Sequence, residues 1–437
     1  MDAFRKFLST WTAAGTSARA ATPSRTRPSP GARPGRKILV ALLAALLGSV
    51  ATTAFGDRPR DGHPHDGDRG HDPDRGGAPL VIREEGNFFV SGEYNSLNQV
   101  IGQMYVEYQI PQKLKYRYPI ILVHGGGQIG AGWNETPDGR EGWTQFFLRR
   151  GFAVYVVDQP ARGRSAYNSD FGPLSDAFDA VAAQQLWAAP ERFMLWPAAS
   201  LHTQWVGPAV PGDPTFDQFM KAQSDSLPLF PLDLQERLTA NGIVALLDRI
   251  GPAILIPHSQ PGWPSWVAAD RRPELVKALV QIEPGGPPVF ALAPLFPPVK
   301  IAWGITNTPI TYSPAVTDPA QLSFVQRPIE DRYVSSCWLQ TEPARQLPNL
   351  QKVPILLFTS ESGYNTLWDP CLSAYLTQAG VRHTWLRLPD IGIHGNGHFM
   401  FIERNSDQTA GVVLRWIRQQ LGGKSDGWGS HDDRDED

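Results

Sequence analysis

The sequence predicts an α/β protein: a mostly parallel central sheet flanked by helices, with two cap insertions. Short apolar runs alternate with amphipathic stretches over most of the chain, the pattern of strands buried on both faces and of the helices that cover them. Two stretches rich in proline and aromatic residues, 165–232 and 285–347, interrupt this alternation without ending it, and read as insertions. With 437 residues, 41% of them hydrophobic, and 14 Trp and 20 Phe, the chain can bury a large core.

The elements follow in order. Asn87 to Tyr94 and Gln103 to Ile110 read as opening strands. Pro119 to Val123 and Ala153 to Val157 are apolar on both faces and read as buried strands, separated by a helix from Gly142 to Arg150. The first insertion ends at a helix from Leu232 to Ile250. The alternation resumes with strand Ala253 to Pro257, helix Gln260 to Asp270 and strand Ala278 to Ile282. After the second insertion, strand Val353 to Thr359, helix Asp369 to Gln378, strand Thr384 to Leu388 and helix Asp407 to Leu421 complete the sheet, and no internal repeat is present.

The ends of the chain have a different composition. Residues 1–55 read as a targeting segment: Arg25, Arg27, Arg33, Arg36 and Lys37 lead into the apolar run Ile38 to Leu47, which is short for a membrane span. Small residues place a signal cleavage after Ala51 or Ala54; the alternative is an uncleaved anchor reaching Phe55. Residues 56–79, rich in Gly, Pro, Asp, Arg and His, read as a disordered linker in which His63, His65 and His71 belong to a solvated spacer rather than a metal site. The acidic stretch 422–437 reads as a solvated tail. Cys337 and Cys371 suit an oxidising compartment if they pair, and two separately buried thiols are the other reading. The net charge of -3 and the absence of a gathered basic face argue against nucleic acid as a partner and favour a small or neutral one.

Candidate chemistry gathers at three places. Ser259, in Pro257-His258-Ser259-Gln260-Pro261-Gly262, lies between a buried strand and a helix, where a sharp turn would lift its hydroxyl above the sheet edge as a nucleophile. Such a turn normally has small residues two positions either side of the serine, and here both are proline. His124-Gly125-Gly126-Gly127 follows another buried strand, and the N–H groups of Gly126 and Gln260 are candidate oxyanion donors, with His124 supporting the loop. The general base is His394 or His398 in the last loop; His398 is preferred, ahead of the final helix and preceded by flexible glycines. The His-x-x-x-His spacing also suggests zinc, but Gly395 and Gly397 argue against the regular helix that zinc would need. Two carboxylates compete to orient the imidazole: Glu283, after the strand ending at Ile282, and Glu361, after the strand ending at Thr359.

Together these residues resemble the α/β-hydrolase superfamily, and the likeness runs from Gly86 to Leu421. More narrowly the chain resembles a small subgroup of bacterial carboxylesterases, through His124-Gly125, Thr136-Pro137-Asp138-Gly139-Arg140, Asp158-Gln159 with Gly163-Arg164, His258-Ser259-Gln260 and Gly395-Asn396-Gly397-His398. The resemblance implies a glutamate acid within Glu-Pro-Gly, which is Glu283-Pro284-Gly285 here, and leaves Glu361 as the alternative. The subgroup's pattern allows cysteines in the oxyanion loop where this chain has Gly126 and Gly127, so redox control is not expected there.

The implied activity is hydrolysis of a small-molecule carboxylic ester through an acyl-enzyme, with a Ser259, His398 and Glu283 triad and no cofactor. A lactone or amide hydrolase of the same fold, and a non-catalytic binding module, are the rival readings. Trp187, Trp196, Trp205, Phe290, Phe296 and Trp303 suggest an apolar mouth for the substrate, or core. Export to the periplasm or medium follows from the targeting segment; no stable membrane partner is expected once it is cleaved, and a homodimer is compatible with the sequence.

Overall fold

In the computed structural model, residues 79–228, 233–295 and 298–422 are described. The targeting segment, the linker up to residue 78, the tail beyond residue 422 and Phe296 lie outside the described residues.

Eight strands form one sheet: β1 (Ile82–Val90), β2 (Met104–Pro111), β3 (Ile120–Val123), β4 (Val154–Asp158), β5 (Ala253–Pro257), β6 (Val276–Ile282), β7 (Ile355–Thr359) and β8 (Thr384–Arg387). Their spatial order is β1-β2-β4-β3-β5-β6-β7-β8. β1 and β2 pair antiparallel, as do β2 and β4, and every later pair is parallel. The helices longer than one turn are α1 (Trp143–Arg149), α2 (Pro214–Lys221), α3 (Asp233–Ile250), α4 (Gly262–Arg271), α5 (Asp369–Gln378) and α6 (Ser406–Gln420).

The sheet has a core on each face because successive side chains of a strand point to opposite sides. Ile120, Leu122, Ile254, Ile256, Leu356 and Phe358 join α1 and α6 through Trp143, Phe147, Val413 and Ile417. The alternate residues Ile121, Val123, Leu255 and Leu357 pack on α3, α4 and α5 through Ile243, Leu247, Trp266 and Tyr375. β3, β5 and β7 are therefore buried along their whole length, which is why they read as unbroken apolar runs.

The edges depart from the sequence reading. The first strand runs from Ile82 to Val90, not from Asn87 to Tyr94, because Ser91 and Gly92 turn the chain at φ of 57° and 93°. Glu93–Tyr94 pairs instead with Val100–Ile101 in a separate two-stranded sheet. The second insertion, read as irregular, holds two more small sheets, Phe290–Ala291 with Val299–Lys300 and Phe324–Pro328 with Ser336–Gln340. The cysteines are bridged: Cys337 of the second of these sheets is joined to Cys371 of α5, with Cα atoms 5.2 Å apart.

The apolar mouth is corrected as well. Trp187, Trp196 and Trp205 are buried in the core that the first insertion shares with the sheet, and Trp303 is buried in the opposite one. Phe290 is half-buried against Trp338. These rings stabilise the insertions by filling their interiors, each on the order of 1.5–3 kcal/mol.

Candidate active site

The nucleophile candidate stands where β5 ends. His258 still belongs to the ladder: its N–H donates to the Val123 carbonyl, and the residue bridges Ile282. Ser259 then turns to φ 66°, and its N–H donates to the Ile282 carbonyl at 3.0 Å. A non-glycine residue in this region is strained by about 1–3 kcal/mol. Neighbouring glycines provide the close approach such a turn needs: a Cβ on Gly262 would sit 2.5 Å from Pro284 Cβ, and one on Gly125 would sit 3.0 Å from His258 Nδ1. The two flanking prolines are thereby tolerated, and Pro261 sits at φ -68°, the value its ring imposes.

Two backbone donors lie close together. A Cβ on Gly126 would lie 3.7 Å from Gln260 Cβ, so the oxyanion loop runs beside the serine turn. Among the described residues neither the Gly126 N–H nor the Gln260 N–H has an acceptor within the chain. Paired free donors beside a serine hydroxyl can take the charge of a carbonyl oxygen under attack. His124 holds the loop: Nδ1 donates to the Gly125 carbonyl at 3.0 Å and Nε2 accepts from the Gln159 N–H at 3.0 Å. Burial, with Arg162 nearby, lowers its pKa to about 4.

The third stretch brings the imidazole. His398 Nδ1 donates to Glu283 Oε2 at 2.7 Å, and both side chains are buried. The other carboxylate oxygen accepts the Ser360 N–H at 2.8 Å and the Ser360 hydroxyl. Burial pushes the Glu283 carboxyl up to about 7 against those two bonds, and burial pushes the His398 imidazole well down. Glu283 is itself at φ 42°, and Gly363 leaves room for it, since a Cβ there would lie 2.4 Å from Oε2.

The alternative candidates find each other. His394 Nδ1 bonds Glu361 Oε1 at 2.9 Å, and Glu361 Oε2 accepts the Gly395 N–H at 2.6 Å. His394 is 63% exposed, so this pair braces the loop at the surface while His398 and Glu283 occupy its interior. His258, the elbow histidine, donates from Nε2 to the His398 carbonyl at 2.9 Å and so fixes that residue's backbone.

Two groups beside the candidate site were not singled out in the sequence. Glu403 accepts from the Gly397 N–H, the Asn396 amide and His202 Nε2, at 2.9, 2.8 and 2.9 Å, and ties the His394–His398 loop to the first insertion. Tyr364, in the turn after β7, donates its hydroxyl to His398 Nε2 at 2.7 Å. Neither lies in a motif, and only spacing in three dimensions could have singled them out. A cavity of about 720 Å³ adjoins the site, with Gln128, Phe219, Phe399 and Phe401 in its wall.

A strand order of 1-2-4-3-5-6-7-8, with a serine turn after the fifth strand, a glutamate after the sixth and a histidine after the eighth, is the arrangement of an α/β-hydrolase. No family model matches the chain. It is 41% identical over 334 residues, 76% of this chain and 89% of the other, to a protein described as probable secreted lipase phiG from Fungal sp. (strain ATCC 74256). It is also similar to a solved structure described as a novel bacterial esterase, with 25% identity, a TM-score of 0.51, and coverage of 78% of this chain and 98% of that one. The chain belongs to the α/β-hydrolase superfamily, in the branch of carboxylic ester hydrolases that holds these two proteins.

Proposed function

We propose that the chain cleaves carboxylic esters in two steps through an acyl-enzyme on Ser259. The observation that carries this reading is the buried His398–Glu283 pair, 2.7 Å apart, brought to the same end of the sheet as a strained serine and two free N–H donors. Ser259 Oγ attacks the acyl carbon as His398 receives its proton, and the carbonyl oxygen takes up charge between the Gly126 and Gln260 N–H groups. Glu283 keeps the proton of the resting imidazole on Nδ1, so that Nε2 is the basic nitrogen. Collapse returns the proton to the departing alkoxide, and water then repeats the sequence on the acyl carbon. The residues named perform every proton transfer without a cofactor.

The cavity beside Phe399 takes one arm of the substrate, since Gln128 and Phe399 in its wall adjoin the oxyanion loop and His398. Export of the protein is supported by the basic and apolar N-terminal segment and by a relative described as secreted. Among the described residues no helix is long and apolar enough to cross a membrane.

A panel of chromogenic esters of graded acyl length, with a lactone and an anilide beside them, tests the reading on wild type and Ser259→Ala. Ester turnover confined to the wild type is expected. Equal turnover by the alanine variant, or cleavage of the anilide alone, contradicts it.

A further inference from the structure

Three successive residues of the first insertion hold the backbone ahead of His398. The N–H groups of Thr203 and Gln204 both donate to the Gly395 carbonyl, at 2.9 and 3.2 Å, and the Gln204 amide donates to the His394 carbonyl at 2.9 Å. Beside them the His202 ring lies against Gly397, where a Cβ would sit 2.9 Å from its Cδ2. The bare backbone at Gly397 is what lets the ring close on the residue before His398.

Both ring nitrogens of His202 meet carboxylates: Nδ1 donates to Glu191 Oε2 at 3.1 Å and Nε2 to Glu403 Oε1 at 2.9 Å. A neutral imidazole has one N–H, so two such bonds require the imidazolium. Burial opposes that charge, but the two carboxylates prevail and hold the pKa at about 9. The charged groups facing the ring are Glu191, itself paired with Arg192, on the insertion, and Glu403 ahead of α6; Arg404 turns to the Trp205 carbonyl. The Glu403 carboxylate so anchored accepts the Gly397 N–H through both oxygens, at 2.9 and 3.1 Å. An ordered acid under the loop thus depends on a buried cation from the insertion.

We propose that His202 is a positioning residue for the ester hydrolysis above: as a buried cation it fixes Glu403 under Gly397 and thereby sets the place of the His398 ring, an inference that rests on the serine mechanism. Loss of its proton leaves one N–H for two carboxylates, frees one of them, and lets the backbone that carries His398 drift. A base displaced by about 1 Å loses on the order of 100-fold in rate, so the effect falls on turnover rather than on binding. The first insertion then does more than cover the site, since it supplies the charge that keeps the base in place.

The test is the dependence of kcat and KM on pH, from neutral to alkaline, for a neutral chromogenic ester on wild type, Glu191→Gln, His202→Gln and Ser259→Ala, with circular dichroism reporting the fold. In folded wild type kcat should fall as pH rises through about 9, with KM held within about threefold. Glu191→Gln removes one of the two charges that hold the proton, and the fall should move toward neutral by roughly one pH unit or more. His202→Gln should lower kcat about tenfold or more at neutral pH and abolish the alkaline fall. Glu191 is half-buried, so its variant gives a reading even where His202→Gln does not fold. An alkaline fall unmoved in Glu191→Gln, or wild-type kcat in His202→Gln, overturns the positioning role. Turnover that persists in Ser259→Ala removes the serine mechanism itself, a separate failure.

Discussion

Which nitrogen of His398 carries the proton is decided by Glu283 Oε2 at 2.7 Å. Glu283→Gln would offer Nδ1 a donor instead, drive the proton to Nε2 and disable the base; kcat should fall on the order of 10³–10⁴-fold with KM little changed. Glu361→Gln, which touches only His394 and Gly395, should stay within about threefold of wild type in the same assay. Because burial raises the Glu283 carboxyl to about 7, the pair gains a proton near that pH, and kcat/KM should fall as pH drops through about 7. The stability sign is opposite. A carboxyl raised from 4.5 stabilises the fold below the lower value and loses that contribution as pH rises through about 7. Thermal melts of Glu283→Gln should therefore gain on wild type between pH 5 and pH 8, and a constant difference contradicts this. The proximity of Ser259, Glu283 and His398 at one end of the sheet could be anticipated because each lies in a short motif next to a strand end. That of Tyr364 could not, since one tyrosine among 11 carries no local signal of where its hydroxyl will go.

The loop from His394 to His398 owes its shape to elements far away in sequence. Arg140 donates to the carbonyls of Ile402, Glu403 and Arg404, just beyond that loop, at 3.3, 3.1 and 3.1 Å. The Thr-Pro-Asp-Gly-Arg motif therefore braces the chain just after His398. Glu403 does the same from the other side, and its partner His202 also bonds Glu191 at 3.1 Å. Burial opposes charge on His202, but the two carboxylates outweigh it and raise its pKa to about 9. Its contribution to stability is full below about 6.5 and is lost as pH rises through about 9. Glu403→Gln should cost about 3–5 kcal/mol near neutral pH by leaving a buried charge short of its partner, with the loss in denaturant melts shrinking above pH 9. A penalty independent of pH contradicts the charged pair. The buried strands β3, β5 and β7 were legible to within two residues, since burial on both faces leaves unbroken apolar runs. Edge strand β1 was misplaced because Arg83, Glu84 and Glu85 expose it to water and erase the pattern.

Over the whole molecule the sheet supplies two cores, and the first insertion enlarges one of them above the catalytic edge. The fold class was readable from strand and helix alternation. The packing of the insertions was not, because buried Trp187, Trp196 and Trp205 look in sequence like a binding surface. The Cys337–Cys371 bridge was equally open, as spacing along the chain says nothing about distance across it. The bridge closes a loop over a sequence separation of 34, so its reduction should lower stability by about 3–4 kcal/mol in the chain-entropy account. Denaturant melts with and without reductant measure this, and kcat should be unchanged because neither cysteine touches Ser259, Glu283 or His398.

In the proposed mechanism one hydroxyl, one imidazole and one carboxylate from three distant segments act on a single atom held by two backbone donors. A crystal structure of the fluorophosphonate adduct tests it most directly. Phosphorus is expected on Ser259 Oγ, with the phosphoryl oxygen about 2.7–3.1 Å from the N–H groups of both Gly126 and Gln260. Phosphorus on another side chain, or its oxygen turned away from those two donors, would contradict it.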